Sequence, residues 1–172
     1  MRVSTRSIAL AGSIIVLAGC GADTTAPSGV MTTRHSRSSE WGPETPKFNL
    51  EVILRGDGFG LVKFRQPNDD ALIINLDTKV RGLEPNTAYV LQRAADTNLD
   101  GICSSTAWLT LGKGLDPQTI TTDDRGMGEE SLFRNVAALG VGATFDIAFR
   151  IVNVATSAVV LTSDGYRYTI SQ

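Results

Sequence analysis

Three side chains with oxygen donors follow one another at alternate positions in the middle of the chain. They are Asp96, Asn98 and Asp100, and Gly101 comes directly after them. Carboxylate and amide oxygens are the ligands that Ca²⁺ prefers, and a glycine permits the sharp turn that lets such side chains converge on one ion. The segment is therefore a candidate calcium site, and calcium is the only cofactor that the sequence suggests.

The candidate calcium site is incomplete as a set of ligands. Its spacing is similar to the first half of an EF-hand-type loop, but Ala107 stands where that loop carries its bidentate glutamate. Because Ca²⁺ takes about six to eight oxygens, Ser104 or Ser105, the Ile102 carbonyl or acids of another loop would have to complete the shell. The alternative is a turn in which Asn and Asp bond the local backbone and Gly101 supplies a positive φ.

Four carboxylates that lie close together further along the chain are candidates for hydrolysis by a pair of acids. They are Asp123, Asp124, Glu129 and Glu130, and they flank the run from Arg125 to Gly128. That arrangement is also typical of a hairpin turn with a solvated acidic tip.

Histidine is almost absent from the chain. The single histidine is His35, with Ser and Arg residues around it. Without a histidine after position 35, the rest of the chain cannot hold a Ser-His-Asp or Cys-His catalytic set, a copper site or an imidazole zinc site. The glycine-rich run 56–60 lacks the Lys-Ser/Thr pair of a phosphate loop and predicts a hairpin turn.

The composition is that of one globular domain with no nucleic-acid partner. The 172 residues are 42% hydrophobic and carry a formal net charge of −2. The length suits a domain that buries its own core, and the lack of a basic patch argues against nucleic-acid binding. No apolar run reaches the ~18 residues that a transmembrane helix needs.

The N-terminus carries the features of an export signal. Arg2 and Arg6 precede an uncharged apolar run, Ile8 to Ala18, that is too short to span a bilayer. The run ends in Leu17-Ala18-Gly19-Cys20, which is similar to the lipobox of bacterial lipoproteins. That resemblance implies cleavage before Cys20, acylation of its thiol and of the new N-terminus with palmitate-like chains, and stable anchoring in a membrane.

The sequence divides into three parts. Residues 1–19 are predicted to be a lipoprotein signal peptide, 20–46 the lipidated cysteine and a flexible tether, and 47–172 a folded domain. The lipoprotein resemblance also favours the outer membrane or the cell surface, because Gly21 follows the cysteine where an aspartate would hold the protein in the inner membrane. We therefore expect an exported protein that contacts the membrane through its lipid anchor.

From residue 47 onward, apolar and polar residues alternate with a period of two. The longest clean run places Phe145, Ile147, Phe149 and Ile151 on one face, which we expect to be buried, and the residues between them on the other face, which we expect to be solvated. Similar alternation or short strands are expected near 47–54, 62–65, 72–80, 87–94, 106–112, 118–122, 128–134, 157–163 and 166–171. Only the run 132–139 could also be a helix, because Leu132, Val136 and Leu139 would then lie on one face of it. The pattern predicts an all-β fold, an antiparallel Greek-key-type β-sandwich of about 8–10 strands.

The run from Leu83 to Tyr89 resembles the corner that precedes a strand in fibronectin type III and related sandwiches. In that corner a tyrosine hydroxyl bonds back to the backbone of the turn. The resemblance implies structural roles for Pro85 and Tyr89.

A second resemblance covers about a third of the chain. The runs 60–66, 80–85 and 96–104 are similar in order to copper–zinc superoxide dismutase and to the related chordin-type (CHRD) sandwich domains. The resemblance implies the sandwich fold but not dismutase activity, because Tyr89-Val90-Leu91-Gln92-Arg93 stands where that family carries copper-binding histidines. It also places Cys103 at a disulfide position of the family. Because the run 163–166 offers no partner cysteine, Cys103 is expected to be buried or a free thiol.

These observations favour a lipid-anchored cell-envelope lipoprotein that acts as a non-catalytic binding or structural module. The expected partners are a membrane, reached through the lipid on Cys20, and a protein or glycan that the sequence does not identify. The alternative is a carboxylate-dependent hydrolase that acts on envelope polymers.

Overall fold

The structure, a computed structural model, describes residues 49–67 and 69–171. Its strands are β1 (Asn49–Gly56), β2 (Phe59–Arg65), β3 (Ile73–Arg81), β4 (Ala88–Asp96), β5 (Leu109–Thr110), β6 (Gly112–Lys113), β7 (Asp116–Pro117), β8 (Ile120–Thr121), β9 (Gly128–Asn135), β10 (Thr144–Asn153), β11 (Val159–Ser163) and β12 (Tyr166–Thr169). One turn of 3₁₀ helix, Ala137–Leu139, follows β9. The predicted signal peptide, Cys20 and the tether lie outside the described residues.

The strands pair into one mixed sheet. Its order is β5-β4-β10-β11-β1-β2-β3-β9-β6-β7, with β12 on β10 and β8 on β4. The pairings are antiparallel apart from a single parallel contact of β6 with β9. Because β8 pairs with β4 and also contacts β9, the sheet curls until strands from opposite ends of this order approach each other. The predicted all-β class is confirmed.

The core lies on one face of each long strand, because alternate side chains of a strand point to opposite faces. On β10, Ile147, Phe149 and Ile151 are buried and Phe145 packs against the core, as the alternation predicted. Phe149 packs edge-on against Phe64 of β2, with 6.2 Å between the ring centroids. Strands β1, β2 and β3 add Val52, Leu54, Val62, Ile74, Leu76 and Val80.

The opposite face of β10 is covered, whereas the alternation predicted a wet face. Asp146 is fully buried and Ala148 is only 8% exposed. The connection between β4 and β5 crosses this face. The Gly101 N–H donates to Asp146 Oδ2 (2.6 Å), and the Arg150 guanidinium carbon lies 4.1 Å from the centroid of the Trp108 ring. The expectation of a solvated face was wrong here because a buried carboxylate binds the backbone of the loop.

The run 132–139 is not a helix. Residues 128–135 form β9, in which the inward-facing Leu132 and Arg134 alternate with exposed residues, and only one 3₁₀ turn follows. Strand β9 pairs with β3 along its length, so its backbone groups bond across the sheet instead of along a helix. Among the described residues, no helix is long and apolar enough to cross a membrane.

Truncating Phe149 to Ala should lower the free energy of unfolding by about 3–5 kcal/mol, because it removes a buried ring and leaves a larger void in the core. The control is Thr162→Ala, an exposed position on β11, which should change stability by less than about 0.5 kcal/mol. Denaturant unfolding followed by circular dichroism measures both. A loss below about 1 kcal/mol for Phe149→Ala would show that this face of β10 does not form the core.

Candidate functional site

A cavity of about 340 Å³ lies among residues of β2, β3, β4, β9 and β10. Its walls are mainly apolar and include Phe64, Ile74, Leu76, Phe145, Ile147 and Phe149. This volume is at the lower end of the ~300–1,000 Å³ that small-molecule sites span. Walls of this kind favour a ligand, or part of one, that gains by leaving water.

Arg93 lines the cavity from an inward-facing position of β4. It follows the buried Tyr89 and Leu91 at two-residue intervals, and it lies directly opposite Phe149 of β10. Residues directly opposite in an antiparallel pair share a face of the sheet. Arg93 therefore projects from the core side of β4 and is mostly buried.

Arg134 lines the same cavity from β9. It is opposite Ile74 of β3 and two residues after the buried Leu132, so it also occupies an inward-facing position. Its Nη1 donates a hydrogen bond to the Gly114 carbonyl oxygen at 3.0 Å. This bond holds the guanidinium at the cavity and leaves its remaining N–H groups for other acceptors.

The charge of Arg93 is uncompensated by the described part of the chain. Burial, and then the like charge of Arg134, lower the pKa of its guanidinium, which still stays protonated at neutral pH. Within residues 49–67 and 69–171, no carboxylate forms an ion pair with Arg93 and no group accepts a hydrogen bond from it. An ionised Cys103 would raise the pKa of Arg93 and compensate part of its charge. Burial raises the pKa of the Cys103 thiol, however, so the thiol is uncharged at neutral pH. The cavity thus combines apolar walls with two arginine guanidinium groups and one carboxylate, that of Asp96.

Cys103 itself is a half-buried free cysteine within the described residues. Its raised pKa leaves little thiolate, and the thiolate is the reactive form. We therefore assign it no chemistry.

Asp96 is the centre of the loop from 96 to 105. Its Oδ2 accepts the N–H groups of Ser104 (2.6 Å) and Ser105 (3.2 Å), and its Oδ1 accepts the Asn98 N–H (3.2 Å). Desolvation alone would raise the pKa of the Asp96 carboxyl, but these hydrogen bonds, first that from Ser104, outweigh it and hold the pKa below its usual range.

The other two predicted calcium ligands belong to the same loop. Asp100 Oδ1 accepts the Ile102 N–H (2.9 Å), and Asn98 Nδ2 donates to Asp100 Oδ2 (2.7 Å). Gly101 has a φ of +84°, as the turn alternative requires. The structure brings the three side chains together, but the carboxylate oxygens of Asp96 and Asp100 already accept hydrogen bonds from the loop. No group of three or more His, Cys, Asp or Glu side chains in the described ranges is arranged to hold a metal ion, and calcium binding stays a prediction.

Pro85 lies in the corner before β4, and Tyr89 is the second residue of that strand. The Glu84 N–H donates to the Tyr89 hydroxyl oxygen (3.2 Å), which is the bond that the resemblance to a tyrosine corner implies. The Thr87 hydroxyl donates to the Pro85 carbonyl oxygen (2.9 Å). Both bonds order the chain before it enters β4, the strand that carries Arg93.

Asp123 lies in the turn between β8 and β9, away from the cavity of the two arginines. Its Oδ1 accepts the N–H groups of Met127 and Arg125, each at 2.9 Å. These bonds, first that from Met127, lower the pKa of its carboxyl. A general acid at neutral pH needs a raised pKa, so Asp123 fits the structural role in a turn better than an acid role.

Two further candidate carboxylates form surface ion pairs. Glu129 bonds Lys79 (2.8 Å) and Glu130 bonds Lys113 (2.9 Å). Glu129 and Asp123 both line a separate, open groove of about 770 Å³. The ion pair with Lys79 holds Glu129 in this groove. The hydrogen bond between the two side chains is the main reason why the pKa of Lys79 is raised.

The two arginines of the cavity are the residues that sequence reasoning missed. The pattern that could have identified them is a charged residue at a position where the alternation of a strand predicts a buried one. Arg93 follows the buried Leu91 by two residues, and Arg134 follows the buried Leu132 by two. Each arginine alone resembles an ordinary surface residue. Only the register of β4 on β10 and of β9 on β3 places both at one cavity.

Comparison with known proteins adds no family to this description. The chain matches no protein-family model and no curated protein.

Asp96→Asn should lower the melting temperature at pH 7, because an amide cannot accept all the hydrogen bonds that the carboxylate accepts. The lowered pKa of Asp96 stabilises the wild-type fold fully above about pH 5, and this contribution is lost as the pH falls through the lowered value. The difference between wild type and variant should therefore shrink below about pH 4. Asp116→Asn, at an exposed carboxylate, is the matched control and should leave the melt unchanged.

The same thermal melts, repeated in millimolar calcium and in excess chelator, test the calcium prediction. A midpoint that calcium raises in the wild type, but not in Asp96→Asn, would establish the site by mass action. A wild-type midpoint that calcium leaves unchanged would identify the loop as a turn only.

Proposed function

We propose that this chain is an exported, lipid-anchored module of the cell envelope that binds a small ligand in the cavity of the two arginines and does no catalysis. The observation that carries the proposal is the cavity itself, an apolar pocket in the core that keeps a mostly buried, unpaired arginine. Such a charge costs stability in the free protein, and functional sites are the usual places where a fold retains such a cost.

The location rests on the N-terminal sequence. A positive start, an uncharged apolar run and Leu17-Ala18-Gly19-Cys20 support lipidation of Cys20, and Gly21 supports the outer membrane or cell surface. A tether between lipid and domain would let the cavity work at some distance from the bilayer.

The finer fold that we propose is the Greek-key sandwich related to superoxide dismutase and CHRD domains. Its support is the connectivity: β1, β2 and β3 pair in sequence, whereas β9 returns beside β3 and β11 beside β1. Long connections that return a strand beside a distant one are the mark of Greek-key arrangements.

The absence of catalysis is proposed from the character of the charged groups. The charged residues of the cavity are two arginines, which are poor proton donors and acceptors at neutral pH, and Asp96, whose lowered pKa makes it a poor general acid. The alternative, a carboxylate-dependent hydrolase of envelope polymers, would use Asp123 and Glu129 in the open groove. The lowered pKa of Asp123 and the ion pair of Glu129 with Lys79 favour binding over acid–base chemistry.

Cys20→Ala should move the protein from the membrane fraction to a soluble or unprocessed form, because the variant lacks the thiol that would be acylated. Fractionation with labelled palmitate measures both location and lipid incorporation. Cys103→Ala, at the other cysteine, should keep both label and membrane location. A wild-type protein that is unlabelled and soluble would contradict the proposed location.

The cavity should bind a neutral apolar fluorophore such as N-phenyl-1-naphthylamine. The full chain with Cys20→Ala, prepared without detergent, avoids the background of micelles. Ala95 lines the cavity, so Ala95→Phe should fill it and reduce probe binding at least five-fold, which is about 1 kcal/mol of lost burial. Ala155→Phe, at an exposed position, is the control and should bind like the parent. Equal probe binding by all three proteins would contradict a ligand site in this cavity.

A further inference from the structure

Arg93 is a charge without a partner in the described residues. It lines an apolar cavity, it is mostly buried, and the largest charge interaction that acts on it is repulsion by Arg134. Transfer of a charge from water to such a place is unfavourable unless an opposite charge and hydrogen-bond acceptors meet it. The missing complement is an anion with several acceptor oxygens.

Arg134 adds a second set of donors at the same place. A guanidinium has five N–H donors, and one of those of Arg134 is used by the Gly114 carbonyl. The remaining donors of both arginines match the geometry of carboxylate or phosphate oxygens.

The polar neighbours of the arginines do not compete for this role. Asp96 also lines the cavity, but its oxygens accept the N–H groups of Ser104, Ser105 and Asn98. Asn135 Oδ1 accepts the Ala137 N–H. Among the described residues, Asp96 forms no ion pair with either arginine, so no salt bridge compensates them.

The rest of the cavity is suited to hydrocarbon. Phe64, Leu76, Phe145 and Phe149 form its walls, and Leu139 lines it while remaining 56% exposed. Leu139 thus lies both in the lining of the cavity and at the protein surface. It marks an apolar rim of the cavity, where the hydrocarbon part of a ligand could enter.

We propose that the cavity binds a single-chain amphiphile with an anionic head group, of which a fatty acid is the simplest example. This inference rests on the proposed function of the cavity as a ligand site and adds the chemical class of the ligand. The aliphatic chain occupies the apolar walls, and the head group accepts hydrogen bonds from Arg93 and Arg134. Two positively charged donors in the lining of an apolar cavity select the anion over a neutral or cationic amphiphile of equal length.

Displacement of N-phenyl-1-naphthylamine from the full chain with Cys20→Ala tests the inference, with decanoate, decanol and decyltrimethylammonium as competitors. Charge-assisted hydrogen bonds should make decanoate bind at least ten-fold more tightly than decanol, and the cation should bind more weakly than both. Arg93→Met should remove at least ten-fold of the decanoate affinity and leave that for decanol within two-fold. Arg125→Met, at an exposed arginine in the turn before β9, should change neither.

A thermal melt separates loss of the site from loss of the fold. Arg93→Met exchanges an unpaired charge for an apolar side chain of similar length, so its melting temperature should equal or exceed that of its parent. If Arg93→Met were unfolded, Arg134→Met would take its place in the same titration. Decanol binding as tightly as decanoate would overturn the head-group inference and leave the cavity as a ligand site. Failure of the probe and of every competitor to bind would overturn the proposed function as well.

Discussion

The pleat of β10 is the constraint on which the rest of the structure depends. This strand pairs with β4 on one side and with β11 and β12 on the other. Because residues that lie opposite each other in antiparallel strands share a face, the side chains that β10 buries decide which side chains its neighbours bury. Phe149 points into the core, and Arg93 must therefore project to the same side. The inward charge follows from the register and not from any preference of arginine for the interior.

A buried carboxylate fixes the other side of the same strand. Asp146 accepts the Gly101 N–H and the Nε of Arg167 (3.3 Å), and Arg167 also donates to the Leu99 carbonyl oxygen. Hydrogen bonds that involve charged groups are stronger than neutral ones, and here they attach a long connection to the sheet. Two carboxylates thus hold the loop 96–105: Asp96 accepts N–H groups within the loop, and Asp146 of β10 accepts the Gly101 N–H and so attaches the loop to the sheet. These hydrogen bonds explain the conformation of the loop without a bound ion, and calcium binding by the loop stays a prediction.

Much of the fold could be predicted from the sequence because the period of two is a local property. The alternation around Phe149 located β10 and its inward face, and the apolar and turn residues placed the other long strands close to their observed bounds. At 132–139 local spacing fitted both a strand and a helix, and pairing with β3 decided for the strand. Local spacing failed at Asp146, where a distant loop covers the face. The placement of both arginines at one cavity could not be predicted, since it requires the register of β4 on β10 and of β9 on β3, and the two strands of each pair are far apart in sequence. The expectation of lipidation concerns residues outside the described part and depends on the sequence alone.

The pairing of β1 with β11 has a consequence for how the chain reaches its folded state. Leu54 of β1 lies opposite Ser163 of β11. The free edge of β1, near the start of the described chain, is therefore covered only when β11, near its end, has paired with it. Contacts between distant parts of a chain raise the entropic cost of closure and slow folding. Until β11 arrives, β1 and β10 each have an open edge, and open edges are templates for pairing with other molecules. The same closure that forms the core leaves the incomplete chain exposed to aggregation until its final strands are in place.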